Sequence, residues 1–177
     1  ADVRAHGARL RQADMRGLQA PGLRCRDGDL EGALLGGAVL RHADLRSTVM
    51  LDADLSGADL SHADLRDADL RHADLRGACL DEALLSGADL TGARLDGASV
   101  NGTRARGACL TRARDGDTGS LQALLEAGGY AGLHPAIVQA GAVSGAVGRR
   151  GLRALKAARL VGLARQGEAR EQVVDRA

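Results

Sequence analysis

Aromatic side chains are almost absent from this sequence of 177 residues: it contains no Phe and no Trp, and Tyr130 is its single Tyr. Globular cores usually rely on such rings for much of their buried area. A core in this protein must therefore be built from Leu, Ala and Val. Proline is scarce as well, with 2 residues, whereas glycine is frequent, with 25.

An excess of charge of either sign is also lacking. Lys and Arg total 24, and Asp and Glu total 23, so the chain as a whole has no field that would attract nucleic acid. The three cysteines, Cys25, Cys79 and Cys109, are far apart, which is typical of neither a disulfide framework nor a zinc site. No signal peptide is recognised at the start of the sequence, which favours a soluble, cytoplasmic protein.

A five-residue period runs from Ala8 to Leu110 and is clearest in LSGADLSHADLRDADLRHADLRGACL, residues 55–80. The central position, every fifth residue from Leu10 onward, is Leu at 15 of 21 places, and the small position two residues earlier is Ala at 16 of 21. Residues at this spacing lie on one side of an extended segment, and the chain must then turn within three residues to keep that side inward. The period therefore predicts a coil of short parallel strands stacked about 4.8 Å apart. An α-helix is a poor alternative, because residues five apart differ by about 140° around its axis.

The repeats resemble the pentapeptide repeat family, whose consensus is A(D/N)LXX, most closely at residues 41–45, 52–60, 61–80 and 86–90. The resemblance covers residues 8–110 and implies an all-β solenoid, a right-handed quadrilateral parallel β-helix of about five coils, each formed by four repeats. A column of glycines 20 residues apart supports such a coil. Its members are Gly17, Gly37, Gly57, Gly77 and Gly97. One wall is therefore expected to have a uniform corner with positive φ.

Two domains are expected, a β-helix over residues 1–114 and a C-terminal α-helical segment over 115–177. The repeat is irregular at 16–28, where large residues take the small position and small residues the central one. This inversion predicts a distorted coil or a slip in register. Asp115 would place a lone carboxylate in the core, so the repeat is expected to end there.

Beyond the repeat, SLQALLEAG predicts a short helix with Ser120 as its N-cap. Residues 120–165 are expected to form helices that cover the last coil or make a homodimer contact, because the ends of solenoids need covering. The segment Ala127–Gly148 contains no charged residue, but it is too rich in Gly and Ala for a convincing membrane helix. Contact with a membrane is thus not expected.

Carboxylates between the small and central positions are expected to stack 20 residues apart. The pairs are Asp44 with Asp64, Asp54 with Asp74, and Asp69 with Asp89. Such columns could imitate the phosphates of DNA or carry acid–base chemistry. Alternatively, each carboxylate is a structural partner of the Arg two residues later, as in Asp44/Arg46, Asp64/Arg66, Asp69/Arg71 and Asp74/Arg76. The candidates for binding a partner are Asp54, Asp59 and Asp74.

Apolar residues at positions that are polar in other repeats are further candidates. These are Leu34, Val39, Val49 and Leu51. They would be solvated in an isolated rod, so contact with the C-terminal helices, a second copy or another partner is expected. In the tail, Arg149, Arg153 and Lys156 form either a basic patch for an acidic partner or a solvated helix with snorkelling side chains.

Histidines and cysteines complete the candidates. His42 and His62 share a wall one coil apart, which suits either a weak metal site or two exposed corner residues. Cys79 and Cys109 are expected to point outward on opposite walls, where no disulfide can join them, and Cys25 is expected to face inward as a small apolar residue.

The sequence shows no nucleophile–base pair, phosphate loop or convincing metal cluster, which favours a non-enzymatic binding protein without a cofactor. The resemblance implies a specific role, because the Qnr-type and mycobacterial quinolone-resistance members and the albicidin-immunity members bind DNA gyrase and topoisomerase IV by imitating duplex DNA. Many of them dimerise through a C-terminal helical segment. For this chain, a guard of a type II topoisomerase is implied, giving antibiotic resistance or self-immunity. One alternative is a scaffold whose helical tail recruits a partner, and another is an enzyme with a pocket between rod and tail.

Overall fold

The computed structural model describes residues 3–116 and 119–129. The predicted helices between residues 130 and 165, and with them the homodimer contact and the candidates Arg149, Arg153 and Lys156, lie outside the described residues. Within the described residues, no helix is long and apolar enough to cross a membrane.

Each repeat contributes five positions, which we name small, bridge, central, first corner and second corner. Ala53, Asp54, Leu55, Ser56 and Gly57 fill them in one repeat. The bridge position pairs in parallel with the residue 20 positions later, from Arg4↔Arg24 to Arg94↔Arg114. In the described part of the chain, every β contact is an isolated bridge of this kind, because only three residues separate one corner from the next.

A coil of 20 residues has four walls, which we number by their columns of bridge positions. Wall 1 contains Arg4, Arg24, Asp44, Asp64, Leu84 and Arg104; wall 2 contains Arg9, Asp29, Val49, Asp69, Asp89 and Cys109; wall 3 contains Asp14, Leu34, Asp54, Asp74, Arg94 and Arg114; wall 4 contains Gln19, Val39, Asp59, Cys79 and Ser99. Backbone hydrogen bonds join the coils, as from the Asp54 N–H to the Ala33 carbonyl at 3.0 Å and from the Leu55 N–H to the Asp74 carbonyl at 2.8 Å.

The corners of all four walls share one geometry. The small-position N–H donates to the preceding central carbonyl, as from Ala53 to Met50 at 3.1 Å, and the second corner residue has a positive φ, 57° at Asp52 and 63° at Gly57. The sequence predicts a uniform corner with positive φ on one wall, whereas the structure has this corner on all four walls. A turn closed in this way needs the left-handed conformation at its third residue. The N–H of Asp52 also donates to the Arg71 carbonyl on the next coil at 3.0 Å, which helps to offset the cost of about 1–2 kcal/mol for a non-glycine residue.

The coil at residues 16–28 is regular, and the predicted distortion or slip is wrong. The bridges Gln19↔Val39 and Arg24↔Asp44 keep the 20-residue register. Pro21 and Gly22 occupy the two corner positions, with Gly22 at φ 72°, and Pro followed by Gly is the preferred sequence of a type II turn.

Large and small side chains exchange places inside this coil without loss of packing. Leu23 in the small position is 7% exposed, whereas Ala20 and Cys25 in central positions are 4% and 0% exposed. Gly28, in the next small position, leaves room for Cys25, because a Cβ there would lie 2.6 Å from the Cys25 Sγ. Cys25 faces inward as predicted. Since the total volume is conserved, the coil accepts the inversion.

Stacked Leu and Ala side chains form the interior. The central residues from Leu30 to Leu95 are all 2% exposed or less, and each buried Leu contributes about 1.5–3 kcal/mol. Two threonines in small positions keep their hydroxyls satisfied. Thr48 Oγ1 donates to the Leu45 carbonyl at 2.7 Å, and Thr103 Oγ1 donates to the Leu80 carbonyl at 2.9 Å.

Helix α1, Ser120–Glu126, follows the last bridge. It lies where SLQALLEAG predicts a helix, but Ser120 is not the N-cap. Gly119, with φ 81°, holds that position, and Ser120 Oγ instead donates to the Ala98 carbonyl at 2.7 Å. Asp115 Oδ2 accepts the N–H of Leu121 at 2.9 Å, so this carboxylate serves the helix that follows the repeat.

Helix α1 and the residues after it cover one side of the last coil. Leu124 is 0% exposed and joins the Leu and Ala core. In earlier coils, the N–H groups at the positions of Ala105 and Gly107 donate to carbonyls of the next coil. The N–H groups of Ala105 and Gly107 donate instead to the carbonyls of Ala127 at 3.3 Å and Gly128 at 2.9 Å. The helix therefore supplies the apolar contact, and the two residues after it supply the hydrogen-bond acceptors, that a further coil would supply.

Candidate protein-binding surface

The predicted carboxylate columns are present. Parallel bridges join Asp44 to Asp64, Asp54 to Asp74, and Asp69 to Asp89. Asp54 and Asp74 thus lie together on wall 3, whereas the third partner-binding candidate, Asp59, lies on wall 4. The structure brings two of these three candidates together and places the third on the neighbouring wall.

Arginine two residues further along holds several of these carboxylates in a two-point contact. Arg46 Nε donates to Asp44 Oδ1 at 2.7 Å, and its Nη2 donates to Oδ2 at 2.6 Å. The same contact, which we call the fork, forms in Asp64/Arg66, Asp69/Arg71 and Asp74/Arg76, as predicted. These forks hold the side chains against the walls, and an exposed pair of this kind contributes about 0–1 kcal/mol. Asp69/Arg71 is more buried than the others, with side chains 14% and 15% exposed.

A fifth fork, Asp14/Arg16, was missed although its sequence, Asp-X-Arg, is the same. Arg16 Nε lies 2.9 Å from Asp14 Oδ1. The hydrogen bonds from Arg16 lower the pKa of Asp14 to about 2. Asp14 stacks on Leu34 and not on another Asp, yet an arginine holds it in the same way as the Asp residues of the columns.

Asp54 and Asp59 have other partners. Asp54 Oδ1 accepts the backbone N–H of Ser56 at 3.0 Å. Asp59 accepts the Ser61 hydroxyl at 2.6 Å and forms an ion pair with Arg41 of the preceding coil. Both carboxylates are half-buried, so they combine a fixed position with access to solvent.

Charge is distributed unevenly along the rod, a feature that the total over the whole repeat conceals. Residues 51–96, which we call the acidic band, contain 11 carboxylates and four arginines, a formal charge of −7. Residues 3–50 and 97–116 each have a formal charge of +3. A count over successive coils would have detected this pattern in the sequence. The walls therefore present a negative zone between two positive ones.

Asp89 stacks on Asp69 as predicted, but its burial was not predicted from the sequence. It is 2% exposed, and this burial raises its pKa despite hydrogen bonds from Thr91. Its Oδ1 accepts the backbone N–H of Thr91 at 3.0 Å and the Thr91 hydroxyl at 2.5 Å. Thr91 stands where the forks have Arg, and Arg71 Nε of the preceding coil is 4.0 Å from Oδ2, so Asp89 takes part in no fork.

We expect Asp89→Asn to leave the protein at least as stable at pH 7, because an Asn oxygen can accept both Thr91 hydrogen bonds without burying a charge. The raised pKa means that Asp89 favours the folded state fully below its unfolded pKa, about 3.9, and loses that contribution as pH rises through its folded pKa. The advantage of Asn over Asp should therefore shrink towards pH 3.5. Urea unfolding at both pH values measures it, with Asp69→Asn, which breaks the fork to Arg71, as the destabilised control. A loss of stability in Asp89→Asn at pH 7 equal to that in Asp69→Asn would contradict the expectation.

The cysteines differ from expectation at one position. Cys79 is half-buried, but Cys109, predicted to point outward, is 0% exposed. Its Sγ lies 3.3 Å from the hydroxyls of both Thr91 and Thr111. All three cysteines are free thiols, as their positions in the coil require.

His42 and His62 are stacked, with ring centroids 4.8 Å apart and an angle of 11° between the rings. His62 Nδ1 lies 3.3 Å from Glu82 Oε2 on the next coil. In this geometry the ring faces meet each other, and the nitrogens, which would bind a metal, point along separate planes. In residues 3–116 and 119–129, no group of three His, Cys, Asp or Glu residues is placed to hold a metal ion.

The apolar candidates do not form one patch. Leu34 lies on wall 3, Val39 on wall 4, and Val49 with the corner residue Leu51 on wall 2. All four side chains are half-buried, not solvated as expected. Their role in binding a partner stays a prediction.

Comparisons with known proteins agree with this geometry. A family model described as pentapeptide repeats matches residues 24–61, 50–87 and 80–112, with 8 copies. No curated protein matches the chain. The chain is 36% identical to alr5209, a pentapeptide repeat protein from Nostoc Pcc 7120, with 59% of this chain and 84% of that one covered and a TM-score of 0.51.

Two further solved structures are similar. Rfr23, a pentapeptide repeat protein from the cyanobacterium Cyanothece 51142, is 32% identical with a TM-score of 0.48; the match covers 49% of this chain, which spans 58% of the length of Rfr23. QnrB1, a plasmid-mediated fluoroquinolone resistance protein, is 15% identical over 79% of this chain and 78% of its own, with a TM-score of 0.39. Because the family model matches half of the sequence, and the matched residues build a coil of four repeats, the chain belongs to the pentapeptide repeat family, whose members fold as right-handed quadrilateral β-helices.

Proposed function

We propose that this protein is a non-enzymatic binding rod that presents its acidic band to a positively charged surface on a partner protein. The observation that carries the proposal is the formal charge of −7 over residues 51–96, between flanks of +3 each. A negative zone of this kind steers a basic surface to one place on the rod. The positive flanks disfavour binding in another register.

Binding is favoured over catalysis by the way the carboxylates are held. Within the described residues, the Asp side chains of the columns already accept forks from Arg or hydrogen bonds from Ser and Thr, as Asp74 does from Arg76 and Asp89 from Thr91. A general base needs an acceptor directed at a substrate, whereas a binding surface needs charges in fixed places. The rigid spacing of the coils provides such fixed places.

The partner we propose is the DNA-binding surface of a type II topoisomerase. Residues 51–96 span roughly 2.3 coils of 20 residues, or about 11 Å at the usual strand spacing of about 4.8 Å. A charge of −7 over this length is roughly one charge per 1.6 Å, close to the value of about 1.7 Å for duplex DNA. The acidic band thus resembles DNA in its linear charge density, which supports the role that the family resemblance implies.

Inhibition or protection of DNA gyrase by the purified chain tests the proposal. The intact protein is expected to change supercoiling at micromolar concentration, with or without a gyrase poison, and salt should weaken the effect. Changing Asp54, Asp59 and Asp74 to Lys takes the acidic band from −7 to −1 and should abolish it.

The matched control reverses the same number of charges outside the acidic band, at Asp14, Asp29 and Asp44. These residues also occupy bridge positions, and two of them also form forks with Arg. This control should retain the effect on gyrase. If the intact chain does not alter supercoiling at tens of micromolar, topoisomerase guarding is wrong and the scaffold function takes its place; if both variants lose the effect equally, the acidic band is not the contact.

A further inference from the structure

Two carboxylates of the acidic band have no cation beside them. Most of the band's carboxylates lie within 4.0 Å of a cationic nitrogen, as Asp64 does of Arg66. In the part of the chain that the structure describes, Asp52 and Asp54 have no such partner. Ser56 stands where the forks have Arg, and its N–H donates to Asp54 Oδ1 at 3.0 Å, whereas Asp54 Oδ2 accepts no hydrogen bond within these residues. Asp52 is exposed at the corner that leads to Asp54.

Apolar side chains adjoin the two carboxylates. Val49 and Leu51, on wall 2, have the same spacing as the two residues of a fork, so their side chains lie on the same side of the wall. Leu34 is bridged to Asp54 from the preceding coil. All three apolar residues are half-buried, at positions that are polar in most other repeats. We name Leu34, Val49, Leu51, Asp52 and Asp54 the amphipathic edge, because they surround the edge between walls 2 and 3.

The unengaged oxygen of Asp54 faces a position without a side chain. A Cβ on Gly36 would lie 3.5 Å from Asp54 Oδ2, and Gly36 belongs to the corner column of wall 3 that contains Arg76. On wall 1, an arginine in the corresponding column reaches the next coil, since Arg46 Nε is 3.6 Å from Asp64 Oδ2. Gly36 therefore leaves open the side from which a guanidinium would approach Asp54.

We propose that the amphipathic edge is the part of the acidic band on which a partner docks, and that it takes a basic amphipathic segment of that partner. Arginine or lysine side chains of the segment contact Asp52 and Asp54, and its apolar side chains pack against Leu34, Val49 and Leu51. This inference rests on the proposed function, whose contact it names. The two carboxylates are free to accept a partner's cation, because no internal cation has to be displaced first. The apolar residues beside them exclude water from the contact, as the centre of an interface requires.

Titration of the full chain with a synthetic peptide, followed by nuclear magnetic resonance, tests the edge. The probe is an amidated helical peptide that repeats the unit Leu-Arg-Ala-Ala-Leu-Arg-Ala, which places leucines and arginines on adjoining faces. Binding should shift the amide signals of Leu51, Asp52 and Asp54. A second peptide with Ser in place of each Leu keeps the charge and should bind more weakly, because it cannot cover the apolar residues.

Three variants and a matched control locate the contact. Asp52→Asn and Asp54→Asn should each weaken peptide binding about threefold to tenfold, because each removes a charge-assisted hydrogen bond. Gly36→Arg should weaken it similarly, since the new arginine contacts Asp54 from within the chain; the φ of Gly36 is not positive, so a side chain is tolerated. Asp27→Asn is the control. Asp27 is a corner residue with φ 57°, as Asp52 is, but it lies 3.6 Å from Arg26, and its replacement should leave binding within about twofold.

The proposal is overturned if the full chain does not bind the first peptide at millimolar concentration, if the shifted amides lie elsewhere, or if Asp27→Asn weakens binding as much as Asp52→Asn. Self-association of the chain that Asp54→Asn abolishes would assign the edge to a second copy and would also overturn it. The supercoiling assay separates this proposal from the proposed function. Peptide binding at the edge without an effect on gyrase supports the edge and contradicts only the topoisomerase partner. An effect on gyrase that Asp52→Asn and Asp54→Asn leave unchanged contradicts the edge but not the acidic band.

Discussion

Leu65→Ala should lower the free energy of unfolding by about 2–5 kcal/mol, the usual range for a buried leucine. Leu65 is 0% exposed, and the 20-residue register places it between Leu45 and Leu85 of the neighbouring coils. The backbone hydrogen bonds on either side hold the coils at a fixed spacing, so they cannot close over the space that the truncation leaves. The cavity left by the truncation should therefore add nearly its full cost to the loss of stability. Urea unfolding followed by circular dichroism measures the change.

A larger residue in the small position of the same region tests whether that position must be filled by a small side chain. Ala68→Leu should also destabilise, because Ala68 is 0% exposed and the extra volume would force the wall outward. Leu51→Ala is the control, since this leucine is at a corner and only half-buried, and it should cost less than Leu65→Ala. Equal stability of Leu65→Ala, Ala68→Leu and the intact chain would exclude the stacked interior.

The five-residue period was sufficient to predict the coil, because one large and one small apolar residue per repeat can face inward together only if the chain turns after each pair. It did not predict the behaviour of residues 16–28. Taken one position at a time, Leu23 and Cys25 depart from the repeat. The packing of the coil depends on their combined volume. Gly28, with room only for hydrogen beside Cys25 Sγ, is the compensating change.

The forks were predictable because residues two apart on a short strand point the same way, as in Asp44/Arg46. The burial of Asp89 was not predictable from its repeat, ADLTG, since a Thr in place of Arg signals a different partner but no degree of exposure. The acidic band was visible in the sequence, yet a sum over residues 1–114 hid it. A partner meets a local surface, so the charge has to be counted over the few coils that it can contact.

The second large effect on stability is expected from a substitution in helix α1. Leu124→Asp should detach the helix from the last coil, because a carboxylate cannot remain at a site that is 0% exposed without a partner. Undocking avoids burial of the charge, so the loss of stability is limited by what docking contributes. Burial of Leu124 alone contributes about 1.5–3 kcal/mol to docking, so a loss of at least this size is expected.

The hydrogen bonds at the end of the rod make that undocking measurable at single residues. The N–H groups of Ala105 and Gly107 have the carbonyls of Ala127 and Gly128 as acceptors, so their hydrogen exchange should accelerate in Leu124→Asp while the amide of Leu65, far from this end, stays protected. Ala123→Asp places the same charge on the exposed side of the helix and should leave the exchange unchanged. If the amides of Ala105 and Gly107 remain as protected in Leu124→Asp as in Ala123→Asp, helix α1 does not close the last coil, and the rod must be stable with that end open.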